Sequence, residues 1–173
     1  MKADSKERYG TVSRVFHWGM AVLILWQLMK LSDRINDGEH WVGETLVPWH
    51  ISIGSLLSVL VLLRICWAWS QRRQRPEQDP AVATLVRMGH VLLYAAIVLL
   101  PITGVFRMIG KGYGWSPFGW EIVAKGPEIP WMITIGSLHS PIAWLLLFMI
   151  IGHIAIALYH HFIKKDGVLR RMA

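Results

Sequence analysis

The sequence predicts an all-α membrane protein, built as a bundle of four transmembrane helices. Four long apolar runs carry this prediction, because each can cross a bilayer as a helix. The 173 residues are 54% hydrophobic, with a mean hydropathy of +0.40. The predicted spans cover residues 12–33, 48–70, 83–109 and 136–163 of a single domain, 1–173.

The first two spans are separated by a short acidic loop. The first run, Val15–Ser32, lacks a small-residue cleavage pattern and is followed by three more runs, so we do not expect a cleaved signal peptide. The second run begins near Trp49 and ends in the basic segment Gln71–Pro76. A helix in lipid would not continue through that segment, so the second span stops there.

The third span contains Pro101 and Gly104, which we expect to kink or loosen the helix. The loop Gly110–Ile135 that follows is rich in Gly, Pro and Trp. Its length is compatible with a lid packed over the bundle, and equally with a plain connector. The fourth span, Gly136–Phe162, leads into a basic tail.

The distribution of positive charge predicts the orientation. Of 18 Lys and Arg residues, thirteen lie in or beside the termini and the second connection, and five lie on the opposite side. The positive-inside rule therefore places both termini in the cytoplasm. The net charge of +7 is spread around apolar runs that contact lipid, so we do not interpret it as a nucleic-acid surface.

Two histidines of the fourth span, His139 and His153, lie fourteen residues apart. Fourteen helical steps return to within about 40° of the starting direction and rise about 21 Å. Both imidazoles therefore project from one stripe of an apolar helix, one near each membrane face. Ionisable side chains inside a bilayer are rare, and they indicate a functional site.

The depth of the other histidines predicts two pairs. His50 pairs with His139 in what we call the outer site, and His17 pairs with His153 in the inner site. A b-type haem is held by two neutral imidazoles on facing helices, which predicts two haem b groups that transfer electrons. The single cysteine and the lack of a C-x-x-C-H motif mean that the haem would be bound non-covalently.

Alternatives remain for several of these residues. A histidine inside a membrane is often only an interhelical hydrogen-bonding contact. His90 competes with His17 as the inner ligand, since both lie at the same depth. Gly54, one turn after His50, would let a macrocycle edge approach, but small residues also serve close helix packing.

His160 lies seven residues after His153 on nearly the same stripe, at the cytoplasmic boundary, and His161 is adjacent. Imidazoles here would donate hydrogen bonds and protons to a quinone head group. The alternative is that this histidine and lysine run is simply the basic interfacial end of a helix.

These segments together resemble the bacterial cytochrome b561 family over nearly the whole chain. The matching stretches are Arg14–Trp18, Trp49–Gly54, Met88–Tyr94, Leu100–Gly104, Leu138–His139, His153, His160–His161 and Lys165–Met172.

The resemblance implies a four-span membrane protein in which His17, His50, His139 and His153 are the axial ligands of two b haems. It also implies electron exchange with ubiquinone, and some members resemble superoxide oxidases. A cationic funnel would attract superoxide to the outer site, but six acidic residues share that side with the basic ones.

The functional hypothesis is a multi-pass oxidoreductase of the bacterial inner membrane. It moves electrons between a periplasmic-side donor, with superoxide as one candidate, and ubiquinone. The first rival is a membrane-anchor cytochrome b subunit for a partner dehydrogenase or hydrogenase, which an apolar patch on the loop Gly110–Ile135 would favour. The second rival is a divalent-metal carrier. It requires carboxylates within the spans, and the span cores contain none.

Overall fold

The computed structural model describes residues 3–34, 40–76, 80 and 82–172. The acidic loop residues Asp37 and Glu39 lie outside the described residues. Within these ranges the chain forms six α-helices and no β-strand, only one isolated bridge. The helices are α1 (Thr11–Leu28), α2 (Trp41–Thr45), α3 (His50–Ser70), α4 (Ala83–Gly110), α5 (Pro130–Gly136) and α6 (His139–Tyr159).

Four stretches are long and apolar enough to cross a membrane, which confirms the predicted class of a four-helix membrane protein. These stretches are Thr11–Ser32, Trp41–Ser70, Ala83–Gly110 and Pro130–Lys164. Helix α1 packs against α3, α4 packs against both α5 and α6, and α3 contacts α4. Both termini and the α3–α4 connection meet at one end of the bundle, which we call the terminal end.

A small apolar core joins the helices halfway along the bundle. Residues four apart on a helix lie on one face, and this spacing brings the buried side chains of α1 and α3 together. The buried apolar side chains of this core are Met20, Ile24, Ile53, Leu57, Val61, Ala96 and Leu146. Leu146 lies seven residues from His139 and seven from His153 on α6. The buried apolar core therefore separates these two histidines.

Helix α4 runs from Ala83 to Gly110 without interruption, although Pro101 lies inside it. Proline has no backbone N–H and leaves the carbonyl four residues before it without its helical donor. Thr103 also bonds back to the carbonyls of Leu99 and Leu100 through its hydroxyl. Pro101 therefore changes the local hydrogen bonding of α4 but does not end the helix.

Residues 111–129, which we call the outer loop, form an ordered structure at the end of the bundle opposite the termini. Trp115 and Val123 form an antiparallel bridge. The Trp115 indole donates to Ser55 Oγ at 3.2 Å, and the Phe118 N–H donates to Ser52 Oγ at 2.8 Å. The loop is therefore anchored to α3 by two hydrogen bonds.

The terminal end is closed by the N-terminal segment. The buried carboxylate of Asp4 accepts hydrogen bonds from the Gly10 N–H at 2.8 Å and from Ser13 Oγ at 2.7 Å, and Arg75 Nε lies 3.3 Å away. The Tyr9 N–H donates to the Arg171 carbonyl. These contacts join the N-terminal segment, the α3–α4 connection and the C-terminal tail.

Candidate functional site

The histidines of the spans lie in two groups at opposite ends of the bundle. His50 at the start of α3 faces His139 at the start of α6, near the outer loop. His17 of α1, His90 of α4 and His153 of α6 meet towards the terminal end. The structure thus brings together both predicted pairs and adds His90 to the second.

The outer site has the separation that two axial imidazoles need. The ring centroids of His50 and His139 lie 5.9 Å apart. An imidazole nitrogen binds a metal at about 2 Å, and the ring centroid lies about 1 Å behind that nitrogen. Two imidazoles on opposite sides of one iron therefore have centroids about 6 Å apart. The centroid separation of His50 and His139 therefore fits two imidazoles that would hold one haem iron.

His139 is held by the backbone of α4. Its Nδ1 donates to the Leu100 carbonyl at 2.9 Å and lies 3.3 Å from Thr103 Oγ1. This bond places the proton on Nδ1 and leaves Nε2 with a free lone pair, as a metal ligand requires. Gly104 makes the approach feasible, because a Cβ there would lie 3.1 Å from Cε1 of His139.

In the inner site, the His153 ring has two imidazole neighbours. The centroid of His153 lies 6.3 Å from that of His17 and 5.8 Å from that of His90. His90 Nδ1 donates to the Val86 carbonyl at 2.7 Å, which leaves its Nε2 free. By centroid distance alone, both His17 and His90 suit the role of second ligand to His153.

Glycines beside the histidines leave room for a flat cofactor. A Cβ built on half-buried Gly152, the residue before His153, would meet no atom within 4 Å; the same holds for Gly89, which is exposed. At Gly54 it would meet only Gln27 Oε1, at 3.9 Å, and Gln27 Nε2 is buried without a hydrogen-bond partner. Imidazole spacing, open glycine faces and an unpaired buried amide together fit two b haems.

The histidine pairs do not fit a bare metal ion. Among the described residues, no three His, Cys, Asp or Glu side chains cluster closely enough to hold one. A porphyrin supplies four nitrogens itself and needs only two axial ligands from the protein. Pairs of imidazoles therefore suit haem better than the divalent-metal carrier considered from the sequence.

Below the inner site, α6 ends in a π-helical turn, His160–Lys164. Lys165 then adopts a left-handed conformation with φ 54°, which returns the chain so that His160 Nδ1 donates to the Asp166 carboxylate. The hydrogen bond from His160 lowers the pKa of Asp166 below its ordinary value. The His161 ring packs against Phe162.

Sequence reasoning missed several polar contacts of these sites. Gln27 lies within an apolar run, and Asp166 enters the sequence analysis only within the matching stretch Lys165–Met172. Arg64 enters only among the thirteen basic residues in or beside the termini and the second connection, although its guanidinium contacts His17. Its position well inside an apolar span was a signal that could have identified it, because charges there are rare.

The fold and the site define a class: a four-helix membrane protein that places paired imidazoles at both ends of its bundle. A family model described as prokaryotic cytochrome b561 matches residues 8–173. The chain therefore belongs to the prokaryotic cytochrome b561 family, whose members are transmembrane b-type cytochromes of electron transfer. It is thus a multi-pass bacterial membrane protein with an oxidoreductase role.

Three relatives are similar to this chain. Cytochrome b561 homolog 2 of Escherichia coli (strain K12) is 32% identical over 98% of this chain and 93% of the relative. The probable superoxide oxidase CybB of Yersinia pestis is 26% identical over 96% of both chains. Cytochrome b561 homolog 1 of Escherichia coli (strain K12) is 35% identical over 48% of each chain.

Proposed function

We propose that this protein is a di-haem oxidoreductase of the inner membrane, which moves electrons between a periplasmic-side donor and ubiquinone. The observation that carries the proposal is the pairing of imidazoles about 6 Å apart at both ends of one bundle. When bound, each haem b supplies a one-electron carrier within the membrane. His50 and His139 would hold the outer haem, and His153 with His17 or His90 the inner one.

The orientation follows from charge. With thirteen of 18 basic residues at the terminal end, both termini lie in the cytoplasm and the outer loop faces the periplasm. The inner site then lies near the cytoplasmic face. Protons for quinone reduction can reach it from that side.

His160 and Asp166 are the groups we assign to the quinone end. The half-buried His160 ring lies at the membrane boundary, and its bond to Asp166 orients it. His160 would donate to a quinone carbonyl through Nε2, while Asp166 accepts a hydrogen bond from Nδ1 and so fixes the orientation of the ring. His161, packed on Phe162, would assist from the adjacent position.

Superoxide is the donor we favour, because a relative of similar length is named a probable superoxide oxidase. Two superoxide anions oxidised to O₂ release two electrons, and two protons from the cytoplasm complete one quinol. The outer side carries Lys30, Arg107, Lys111 and Lys125 within the described chain, and these would attract an anion.

A second candidate function has one specific observation in its favour. The outer loop exposes large apolar side chains, with Trp120 79% exposed and Phe118 56% exposed. Such a patch could dock a periplasmic dehydrogenase or hydrogenase as the electron donor. Interfacial aromatic residues of membrane proteins give the same patch without a partner.

The test is anaerobic mixing of the purified protein in lipid nanodiscs with superoxide, followed by soluble ubiquinone. We expect superoxide to reduce the haem band and ubiquinone to reoxidise it, and superoxide dismutase to abolish the first step. A haem band that superoxide leaves oxidised, but that ubiquinol reduces, would contradict the superoxide assignment and favour the partner subunit.

A matched pair of variants, His17→Ala and His90→Ala, assigns the inner ligand. The two residues lie at similar distances from His153, so each variant serves as the control for the other. We expect the His17 variant to lose one haem and the His90 variant to keep both. The reverse result would give the ligand role to His90.

A further inference from the structure

Arg64 is a charged residue well inside a membrane span. It lies six residues before the end of α3, so its Cα is about 9 Å along the helix from the terminal end. His17 lies six residues after the start of α1, at the same depth. A charge at such a depth is costly, and in membrane proteins it marks a functional group whose partner should be found.

The contacts of Arg64 contain no anion. Its Nη2 lies 3.2 Å from Nδ1 of His17, and its guanidinium lies 5.3 Å from the centroid of the Tyr94 ring. Within the described ranges no carboxylate forms an ion pair with Arg64. The helices α1, α3, α4 and α6 contain no Asp or Glu at all. Among the described residues, Arg64 therefore has no carboxylate to balance its charge.

The bond to His17 conflicts with iron binding at that residue. A guanidinium only donates hydrogen bonds, so Nδ1 of His17 is the acceptor and a neutral ring carries its proton on Nε2. The imidazole nitrogen that binds a metal needs a free lone pair. The second nitrogen of the same ring normally carries the proton and donates it to a hydrogen-bond acceptor. His139 and His90 have that arrangement, with Nδ1 on a backbone carbonyl. Arg64 must leave Nδ1 before His17 can bind through Nε2.

We propose that Arg64 binds a propionate carboxylate of the inner haem, an inference that rests on the proposed di-haem function. Haem b would bring two carboxylates among four long helices that contain no Asp or Glu. The planar fork of arginine matches a carboxylate with two parallel hydrogen bonds, which lysine cannot reproduce. By moving from His17 to that carboxylate, Arg64 would release Nδ1 and gain the missing counter-charge.

Arg64 would then also set the reduction potential of one haem. A positive charge within about 10 Å of an iron favours the reduced form by roughly tenfold in the equilibrium constant. Replacing Arg64 by glutamine removes one positive charge near the iron, and this change favours the oxidised form. The outer site lies at the other end of the bundle, so the reduction potential of the outer haem should not change when Arg64 is replaced.

The experiment is a redox titration of the haem spectrum in wild type, Arg64→Gln and the control Arg72→Gln. Arg72 lies beyond the end of α3 on the same side, is exposed and contacts only Trp69 among described residues. In the Arg64 variant we expect one of two components to shift down by about tenfold, which is 59 mV for one electron. We expect both components of the Arg72 variant to match wild type.

Two unshifted components in Arg64→Gln would overturn the proposal, as would an equal shift in Arg72→Gln. If Arg64→Gln does not fold, the proposal is tested with Arg64→Lys instead. The rate at which this variant loses haem to apomyoglobin is measured and compared with wild type. Lysine keeps the positive charge but cannot donate two parallel hydrogen bonds to a carboxylate. We therefore expect Arg64→Lys to lose one haem about tenfold faster than wild type. Loss at the wild-type rate would overturn the proposal. A wild-type protein without two haems would instead refute the proposed function.

Discussion

Replacement of Gly104 by alanine tests how the outer site is built. The added Cβ would lie 3.1 Å from Cε1 and 3.3 Å from Nδ1 of His139. Ordinary carbon contacts are about 3.5–4.0 Å, so the ring must retreat by about half an ångström. The retreat would lengthen the 2.9 Å bond from Nδ1 to the Leu100 carbonyl.

The expected effect follows from that hydrogen bond. A protein hydrogen bond contributes about 0.5–1.5 kcal/mol net. Loss of the bond that orients a metal-ligating histidine commonly lowers metal affinity by about 10–100-fold. We therefore expect the outer haem to bind at least about tenfold more weakly in Gly104→Ala, while the inner haem keeps its affinity.

The assay is the haem content per chain after dilution with apomyoglobin as a haem acceptor. Gly19→Ala is the matched control, because Gly19 is an exposed helical glycine whose Cβ would meet nothing within 4 Å. Alanine in place of an exposed helical glycine should itself be neutral or stabilising. Gly104→Ala with the outer haem retained as in wild type would refute the reasoning about His139.

Three further predictions concern other contacts. Trp115→Phe removes the indole donor to α3, about 1 kcal/mol, and should increase amide exchange of the outer loop without loss of haem; unchanged exchange would contradict its anchoring role. Asp166→Asn should slow quinone reduction with an unchanged haem spectrum. Because the pKa of Asp166 is lowered, its bond to His160 should persist at neutral pH and weaken only as pH falls through that lowered pKa, which a pH–rate profile would detect. Asp4→Ala leaves buried donors unpaired and should lower the thermal unfolding temperature, whereas exposed Glu7→Ala should not.

The sequence was sufficient to predict the four spans and the pairing of the histidines by depth. Long apolar runs have few alternatives, and the fourteen-residue spacing of His139 and His153 survives small errors in helix boundaries. The positions of His50 and of His17 then follow from the direction in which each span crosses the membrane.

The contacts between helices could not be predicted from the sequence. Periodicity places His17 and His90 at one depth but does not give their distances from His153, which depend on how α1 and α4 pack against α6. The contact of Arg64 with His17 depends likewise on the packing of α3 against α1. The bond from His160 to Asp166 requires a left-handed residue at Lys165, which sequence patterns do not indicate for lysine.

The order of the outer loop also emerged only from the structure. Gly114 has φ +72°, and a Cβ there would lie 2.6 Å from the Val123 carbonyl oxygen. A composition rich in glycine is therefore compatible with a tightly built loop as well as with a loose connector. The hydrogen bonds to Ser52 and Ser55 decide between them.

The most direct test of the central claim is a dithionite-reduced minus oxidised spectrum of the detergent-purified protein, with haem quantified per chain. The account predicts two haem b per chain and the α band of low-spin iron with two imidazole ligands. A colourless protein, or one haem per chain in a fully loaded sample, would contradict the two-site assignment of His17 or His90, His50, His139 and His153.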